Sequence, residues 1–296
     1  MRTLARLFII FTALLAPEVA FAWRHFTAPA KPEHAPPTAA ALSLANDSPS
    51  TTGPQYRTPS ATPATSTNVD ALAAFEALKQ RAKAGDAVSQ RLLAQTYEAC
   101  YLPNVQRAHF ISSIQYLQKV NPDQAAELDR VLRLRLQQCD AVDGGAIIPM
   151  QLINGWYAHA AANGDLASRA VTYARQPMPL ETATVTQFMD DLVDSGDPAA
   201  MYSLGNTLGE RFVSNVRGPY ASLVTGQIAG TAWVLAACRM GYDCGPDSIA
   251  ATDFCLSIGR CQGESVEALM FAMVLADQDR AALEQKIQQI LDATAP

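Results

Sequence analysis

Cysteines are the residues of this chain whose number and spacing point most clearly to chemistry. There are six of them. An even number predicts disulfides in an oxidising compartment, whereas the same set in a reducing compartment would indicate metal ligands. Two segments share one design, in which a cysteine near a helix end precedes a chain-reversing glycine and a second cysteine. We therefore predict three disulfides: Cys100–Cys139, Cys238–Cys244 and Cys255–Cys261.

Two alternatives for the C-terminal cysteines remain open at this point. Spacing does not determine connectivity, so a crossed arrangement of Cys238–Cys255 with Cys244–Cys261 is the first alternative. A four-cysteine zinc site is the second, although five residues between ligands is wider than the usual two to four. We predict no metal and no cofactor.

Carboxylates are the other candidates for chemistry. Asp190, Asp191 and Asp194 lie close together, and paired carboxylates can serve as general acid and base. Acidic residues on a solvated helical turn are common, however. No nucleophile elbow, phosphate loop or dinucleotide fingerprint occurs in the sequence. We therefore predict that the protein is not an enzyme.

The N-terminal residues predict export. Arg2 and Arg6 precede an apolar run of about ten residues and then Ala20-Phe21-Ala22, the order of a secretory signal peptide. We predict a signal peptide over 1–22 and a periplasmic or secreted protein. The alternative is an uncleaved segment that anchors the protein to the inner membrane. The net charge of −6 argues against a nucleic-acid partner.

Composition divides the rest of the chain into two parts. Residues 23–68 are rich in Pro, Ala, Ser and Thr and show no apolar periodicity, which predicts a disordered linker. Residues 69–296 are rich in helix-forming Ala, Leu, Gln and Glu. We predict an all-α domain there, including a single buried helix over 221–239 and a helix that opens at Pro246-Asp247.

A Gly-Asp step recurs between apolar stretches. Glycine can adopt the left-handed conformation at a helix C-terminus, and aspartate can accept backbone N–H groups at the start of the next helix. Each step therefore predicts a tight turn between two helices. The predicted turn residues are Gly85 and Asp86, Gly164 and Asp165, and Gly196 and Asp197.

The segment from Trp156 to Ala167 resembles the join between SEL-like repeats, which are relatives of the tetratricopeptide repeat. The resemblance lies in the aromatic pair Trp156-Tyr157, the Ala-Ala step and the Gly-Asp step, and it covers about 70–210 in degenerate form. It implies an α-solenoid of stacked helical hairpins. It also implies a scaffold for protein contacts, with no catalytic site.

Three arginines form a candidate surface patch: Arg130, Arg133 and Arg135. Because leucines surround them, we interpret them as arginines of a core helix whose side chains reach solvent. The alternative is that they form a weak contact with an acidic envelope polymer or a membrane surface.

Together these patterns predict a non-enzymatic envelope protein that serves as a helical-repeat scaffold for protein–protein interaction. One alternative is an envelope hydrolase, directed at peptidoglycan, that uses carboxylates. The other is a redox or metal module on the C-terminal cysteines.

Overall fold

The computed structural model describes residues 68–176, 180–208, 216–261, 263–273 and 277–294. The predicted signal peptide and nearly all of the predicted linker lie outside the described residues. Within them the chain forms α-helices and three short 3₁₀ helices and contains no β-strand, so the all-α prediction is confirmed for this part. The α-helices are α1 (Asn68–Lys83), α2 (Ala87–Ala99), α3 (Tyr101–Val105), α4 (Arg107–Val120), α5 (Ala125–Ala141), α6 (Met150–Ala162), α7 (Leu166–Ala174), α8 (Thr182–Ser195), α9 (Pro198–Thr207), α10 (Ala221–Val224), α11 (Ala229–Arg239), α12 (Ile249–Ile258), α13 (Val266–Met273) and α14 (Asp277–Thr294).

The helices pack largely in succession. Helix α1 packs on α2, α2 on α6, α6 on α7, α7 on α9, α9 on α11, and α11 on α14. A side group consists of α4 and α5, and α5 also contacts α1 and α12. This order brings α1, α2, α5 and α12 together around the candidate site described below.

Apolar side chains form three buried cores. The largest lies among α7 to α14 and contains Trp233 and Phe188, which are completely buried. The second lies among α1, α2, α6 and the end of α5, and the third joins α4, α5 and α12.

The turns at Gly85 and Gly164 share one backbone geometry. Their φ angles are 95° and 94°, a region that glycine enters without steric cost. In both turns the N–H of the next residue, Asp86 or Asp165, bonds to a carbonyl five residues earlier, as in a Schellman closure. The same aspartate then caps the following helix by accepting a backbone N–H at 2.6 Å. Local sequence therefore determines both turns.

The third Gly-Asp step also joins two helices, but its closure differs. Gly196 has a φ of 56°, and its N–H bonds to a carbonyl only four residues earlier. Asp197 caps α9 by accepting the Ala199 N–H at 2.8 Å. The five-residue closure recurs instead at Gly241, whose φ is 101° and whose successor is Tyr242. Gly85, Gly164 and Gly241 are thus spaced by 79 and 77 residues.

The prediction of one helix over 221–239 is wrong. The chain forms α10 and then α11, with Gly226 at a φ of 96° between them. The predicted start of the next helix also shifts, because the Ser248 side chain accepts the Ala251 N–H and caps α12. Within the described ranges, no single helix is long and apolar enough to cross a membrane; 218–224 and 229–239 qualify only as a pair, bent by 92°.

All six cysteines lie at disulfide distance from the predicted partners. The Cα atoms are 5.2 Å apart in Cys100–Cys139, 5.5 Å in Cys238–Cys244 and 4.8 Å in Cys255–Cys261. The two short loops contain the left-handed glycines Gly241 and Gly259, as the shared design predicts. The crossed pairing does not occur.

Candidate functional site

Two members of the carboxylate cluster at 190–194 are held by neighbouring side chains. Asp190 accepts a hydrogen bond from the Tyr220 hydroxyl at 2.5 Å. Asp191 accepts hydrogen bonds from the Gln187 amide at 2.8 Å and from the Arg169 guanidinium at 2.5 Å. Hydrogen bonds from Gln187 and then Arg169 lower the pKa of Asp191, so this carboxyl is ionised at neutral pH and cannot act as the general acid. Both residues fasten helix α8 to its neighbours.

No metal site occurs among the described residues. No group of three or more His, Cys, Asp or Glu side chains has the geometry to hold an ion. The six sulfurs, which the redox or metal alternative requires, are all paired with one another.

The three predicted patch arginines have separate partners. Arg130 pairs with Glu127 and Asp247, and Arg133 pairs with Asp129. Arg135 points inward, and its side chain is only 5% exposed. The arginines are therefore engaged one by one rather than presented as one surface.

The first two turns meet at α2, through residues that the sequence pattern did not single out. Arg91 Nε donates to Asp165 Oδ2 at 3.0 Å, and the two side chains are 7% and 4% exposed. Beside it, the Asn163 amide donates to Gln90 Oε1 at 2.9 Å. A buried ion pair is strongly destabilising when one partner is lost, so these contacts fasten the α6–α7 turn to α2.

Asp197, the aspartate of the third Gly-Asp step, interacts electrostatically with Arg91 and Asp165. Burial raises the pKa of the Asp197 carboxyl, and the charge of Asp165 acts in the same direction. The Ala199 N–H and the charge of Arg91 oppose the shift. The structure thus brings Asp165 and Asp197 together around Arg91, whereas Asp86 caps α2 with Ser89.

A second polar cluster follows the end of α5. Asp143, Gly144 and Gly145 have φ angles of 48°, 68° and 77°, which is costly for the non-glycine residue. The Asp143 carboxylate accepts a hydrogen bond from the Lys79 ammonium and another, at 2.7 Å, from the Tyr97 hydroxyl. Burial disfavours the carboxylate, but these hydrogen bonds outweigh it and lower the pKa of Asp143. The two bonds hold this left-handed turn against α1 and α2.

An open cleft of about 250 Å³ lies between α1, α2, α5 and α12, and we call it the apolar cleft. Its wall is mostly apolar and includes Ala71, Ala74, Phe75, Leu78, Ala99 and Val142. Thr96, Arg135 and Gln138 are the polar side chains that line it. An apolar pocket with a few convergent polar groups is the usual form of a binding site.

Arg135 is held at the wall of the apolar cleft by polar contacts on both sides. Its guanidinium donates to the Ala99 carbonyl at 3.3 Å and to the Thr252 hydroxyl at 3.0 Å. It also pairs with Asp253 at 2.5 Å, and the Asp253 side chain is 48% exposed. The arginine is therefore preorganised, while its acidic partner remains in contact with solvent.

No protein-family model, no curated protein and no solved structure matches this chain.

Proposed function

We propose that this chain is an exported, non-enzymatic helical scaffold that binds another protein through the surface of residues 101–152. The observation that carries the proposal is the distribution of exposed apolar side chains. Among the described residues, five of the eight large hydrophobic side chains on the surface lie between 102 and 152: Leu102, Tyr116, Val120, Ile147 and Leu152.

Two of these side chains form a stripe on the outer face of α4. Tyr116 and Val120 are four residues apart, so they lie next to each other on one face of the helix. They are 56% and 50% exposed, while Ile114 faces the core. Tyrosine is enriched in protein interfaces because it combines a large apolar ring with a hydroxyl.

A second exposed apolar pair lies on adjoining segments. The Asn104 amide donates to the Ala146 carbonyl at 3.1 Å, which places α3 alongside the chain that leads into α6. Leu102, two residues before Asn104, is 56% exposed, and Ile147, directly after Ala146, is 60% exposed. Exposed apolar side chains on adjoining segments are typical of interaction surfaces.

The proposed architecture is a degenerate series of SEL-like helical hairpins. The shared closure at Gly85 and Gly164, the packing of α2 on α6 and the Arg91–Asp165 pair all support this reading. Such scaffolds bind through side chains on rigidly stacked helices. The three disulfides support an oxidising compartment and therefore export.

Site-specific photo-cross-linking in envelope extracts tests the proposal. A photo-reactive phenylalanine replaces Tyr116 in the full chain, and a matched probe replaces Gln285 on the exposed face of α14. We expect one envelope protein to be captured from position 116 and not from position 285. A chain with Val120→Ser and the probe at 116 should lose this product while its thermal stability stays the same.

Three outcomes would contradict the proposal. Capture of the same proteins from both positions, or of none, would exclude a specific partner surface at α4. Clearing of cell-wall material by the purified chain would favour the hydrolase alternative, because a scaffold hydrolyses nothing.

A further inference from the structure

The apolar cleft is formed by α1, α2, α5 and α12 and is separate from the exposed stripe on α4. Alanines from three helices, Ala71, Ala74, Ala99 and Ala141, leave space between the larger side chains of its wall. The cavity of about 250 Å³ exceeds the roughly 150 Å³ that holds a benzene molecule in an apolar protein interior. A hydrocarbon chain of about ten carbons therefore fits its size.

The polar lining is too sparse for a peptide. Every residue of an extended peptide brings an N–H and a carbonyl, which need partners when they are buried. Thr96, Gln138 and Arg135 are the polar side chains of the lining, and Arg135 already donates to three groups. An unbranched hydrocarbon chain has no polar atoms along its length, so the lining suits it better.

Charge determines which end group the apolar cleft accepts. Arg135 is the one lining side chain with a formal charge, and no acidic side chain lines the cleft among the described residues. The Asp253 side chain, its partner, is half exposed. If a ligand carboxylate replaces Asp253 at the guanidinium, water can solvate the Asp253 carboxylate. A planar guanidinium binds carboxylates by two parallel hydrogen bonds.

We propose that the apolar cleft is a binding site for an anionic amphiphile, a carboxylate with a single hydrocarbon chain of about eight to twelve carbons. The chain lies along the alanine-rich wall, and the carboxylate pairs with Arg135 in competition with Asp253. This site goes beyond the proposed protein contact, and either one can fail without the other.

Calorimetric titration of the oxidised full chain with a homologous series of fatty acids, below their micellar concentrations, tests the site. Affinity should rise about fourfold per added methylene from hexanoate to decanoate and then level off when the cleft is full. Decanoate should bind about tenfold more tightly than decanol because of the charged end group.

Paired variants locate the binding. Ala74→Phe fills the apolar cleft and should weaken decanoate binding at least tenfold. Ala73→Phe, at the neighbouring exposed residue of α1 that does not line the cleft, should leave it unchanged. Asp253→Asn removes the competing carboxylate and should raise the affinity up to about fivefold. Asp247→Asn, at a 65% exposed carboxylate paired with Arg130, should leave it unchanged.

Several results would overturn the proposal. These are no binding of any chain from eight to twelve carbons, equal binding of decanoate and decanol, or unchanged binding by Ala74→Phe. Binding of an apolar peptide in place of decanoate, blocked by Ala74→Phe, would make the cleft a peptide site instead.

Discussion

The N-terminal part of the described domain (68–152) and its C-terminal part (180–294) place their apolar side chains differently. Nine of the twelve largest completely buried side chains lie between 188 and 287, with Trp233 and Phe188 the bulkiest. The exposed large hydrophobics show the reverse distribution, since among the residues that the structure describes only Ile249 lies in the C-terminal part. Apolar area in the core stabilises the fold, whereas apolar area on the surface is typical of binding. Under the proposed function, the C-terminal part supports the fold and the N-terminal part carries the contact surface.

The largest expected effect comes from the C-terminal core. Trp233 is completely buried, and its Nε1 donates to the Leu223 carbonyl at 3.0 Å. Trp233→Ala should lower the free energy of unfolding by about 3–5 kcal/mol, because it leaves a cavity and an unpaired carbonyl. Urea denaturation measures the loss. Tyr116→Ser, at an exposed position of the N-terminal part, should change it by less than about 0.5 kcal/mol.

Trp233→Phe keeps the measurement possible if the alanine variant does not fold. It should still cost stability, since the phenyl ring cannot donate to Leu223. Equal losses for Trp233→Phe and Tyr116→Ser would contradict the contrast between the two parts.

The second effect compares two aspartates that each cap a helix. Asp165→Asn keeps a good N-cap residue but leaves the Arg91 guanidinium buried without its charge partner, so it should cost about 3 kcal/mol. Asp197→Asn keeps its cap and removes a carboxylate that burial disfavours, so it should cost less than about 1 kcal/mol or stabilise. Thermal unfolding at neutral pH measures both. Similar losses in the two variants would show that the Arg91 pair does not fasten the turns.

The smallest effect is a dependence of stability on pH. Burial raises the pKa of Asp197 above the ordinary 3.8, so the folded state binds this proton more tightly and loses stability as pH rises through the interval above 3.8. Hydrogen bonds from Ser89 lower the pKa of Asp86, which therefore adds stability above 3.8 that is lost as pH falls below it. Asp197→Asn should remove the loss of stability above pH 3.8, and Asp86→Asn should remove the loss below it.

Denaturant titrations of both variants from pH 3 to 7 check these signs. A stability curve of Asp197→Asn that falls with rising pH as steeply as that of the unaltered chain would contradict the role of the buried carboxyl.

The sequence was most informative where a structure depends on a few neighbouring residues. A glycine after a helical cysteine brings a second cysteine back within bonding distance, and this alone predicts two of the three disulfides. The caps at Asp86, Asp165 and Asp197 follow from the same kind of local rule.

Features that depend on tertiary packing were missed. Arg91 and Arg135 are both buried, and each pairs with an acidic residue distant in the sequence, which no local pattern indicates. The helix break at Gly226 was missed because the surrounding apolar run fits one helix as well as two. The left-handed Asp143 was missed for a similar reason, since Lys79 and Tyr97 stabilise it from other helices.

The central claim is that residues 101–152 contact a partner while the C-terminal part supports them. Hydrogen exchange of the full chain, alone and with the protein captured from position 116, tests this most directly. The account predicts that backbone protection on binding appears in peptides from 101–152 and leaves 180–294 unchanged. Protection concentrated in 180–294, or no protection anywhere, would contradict it.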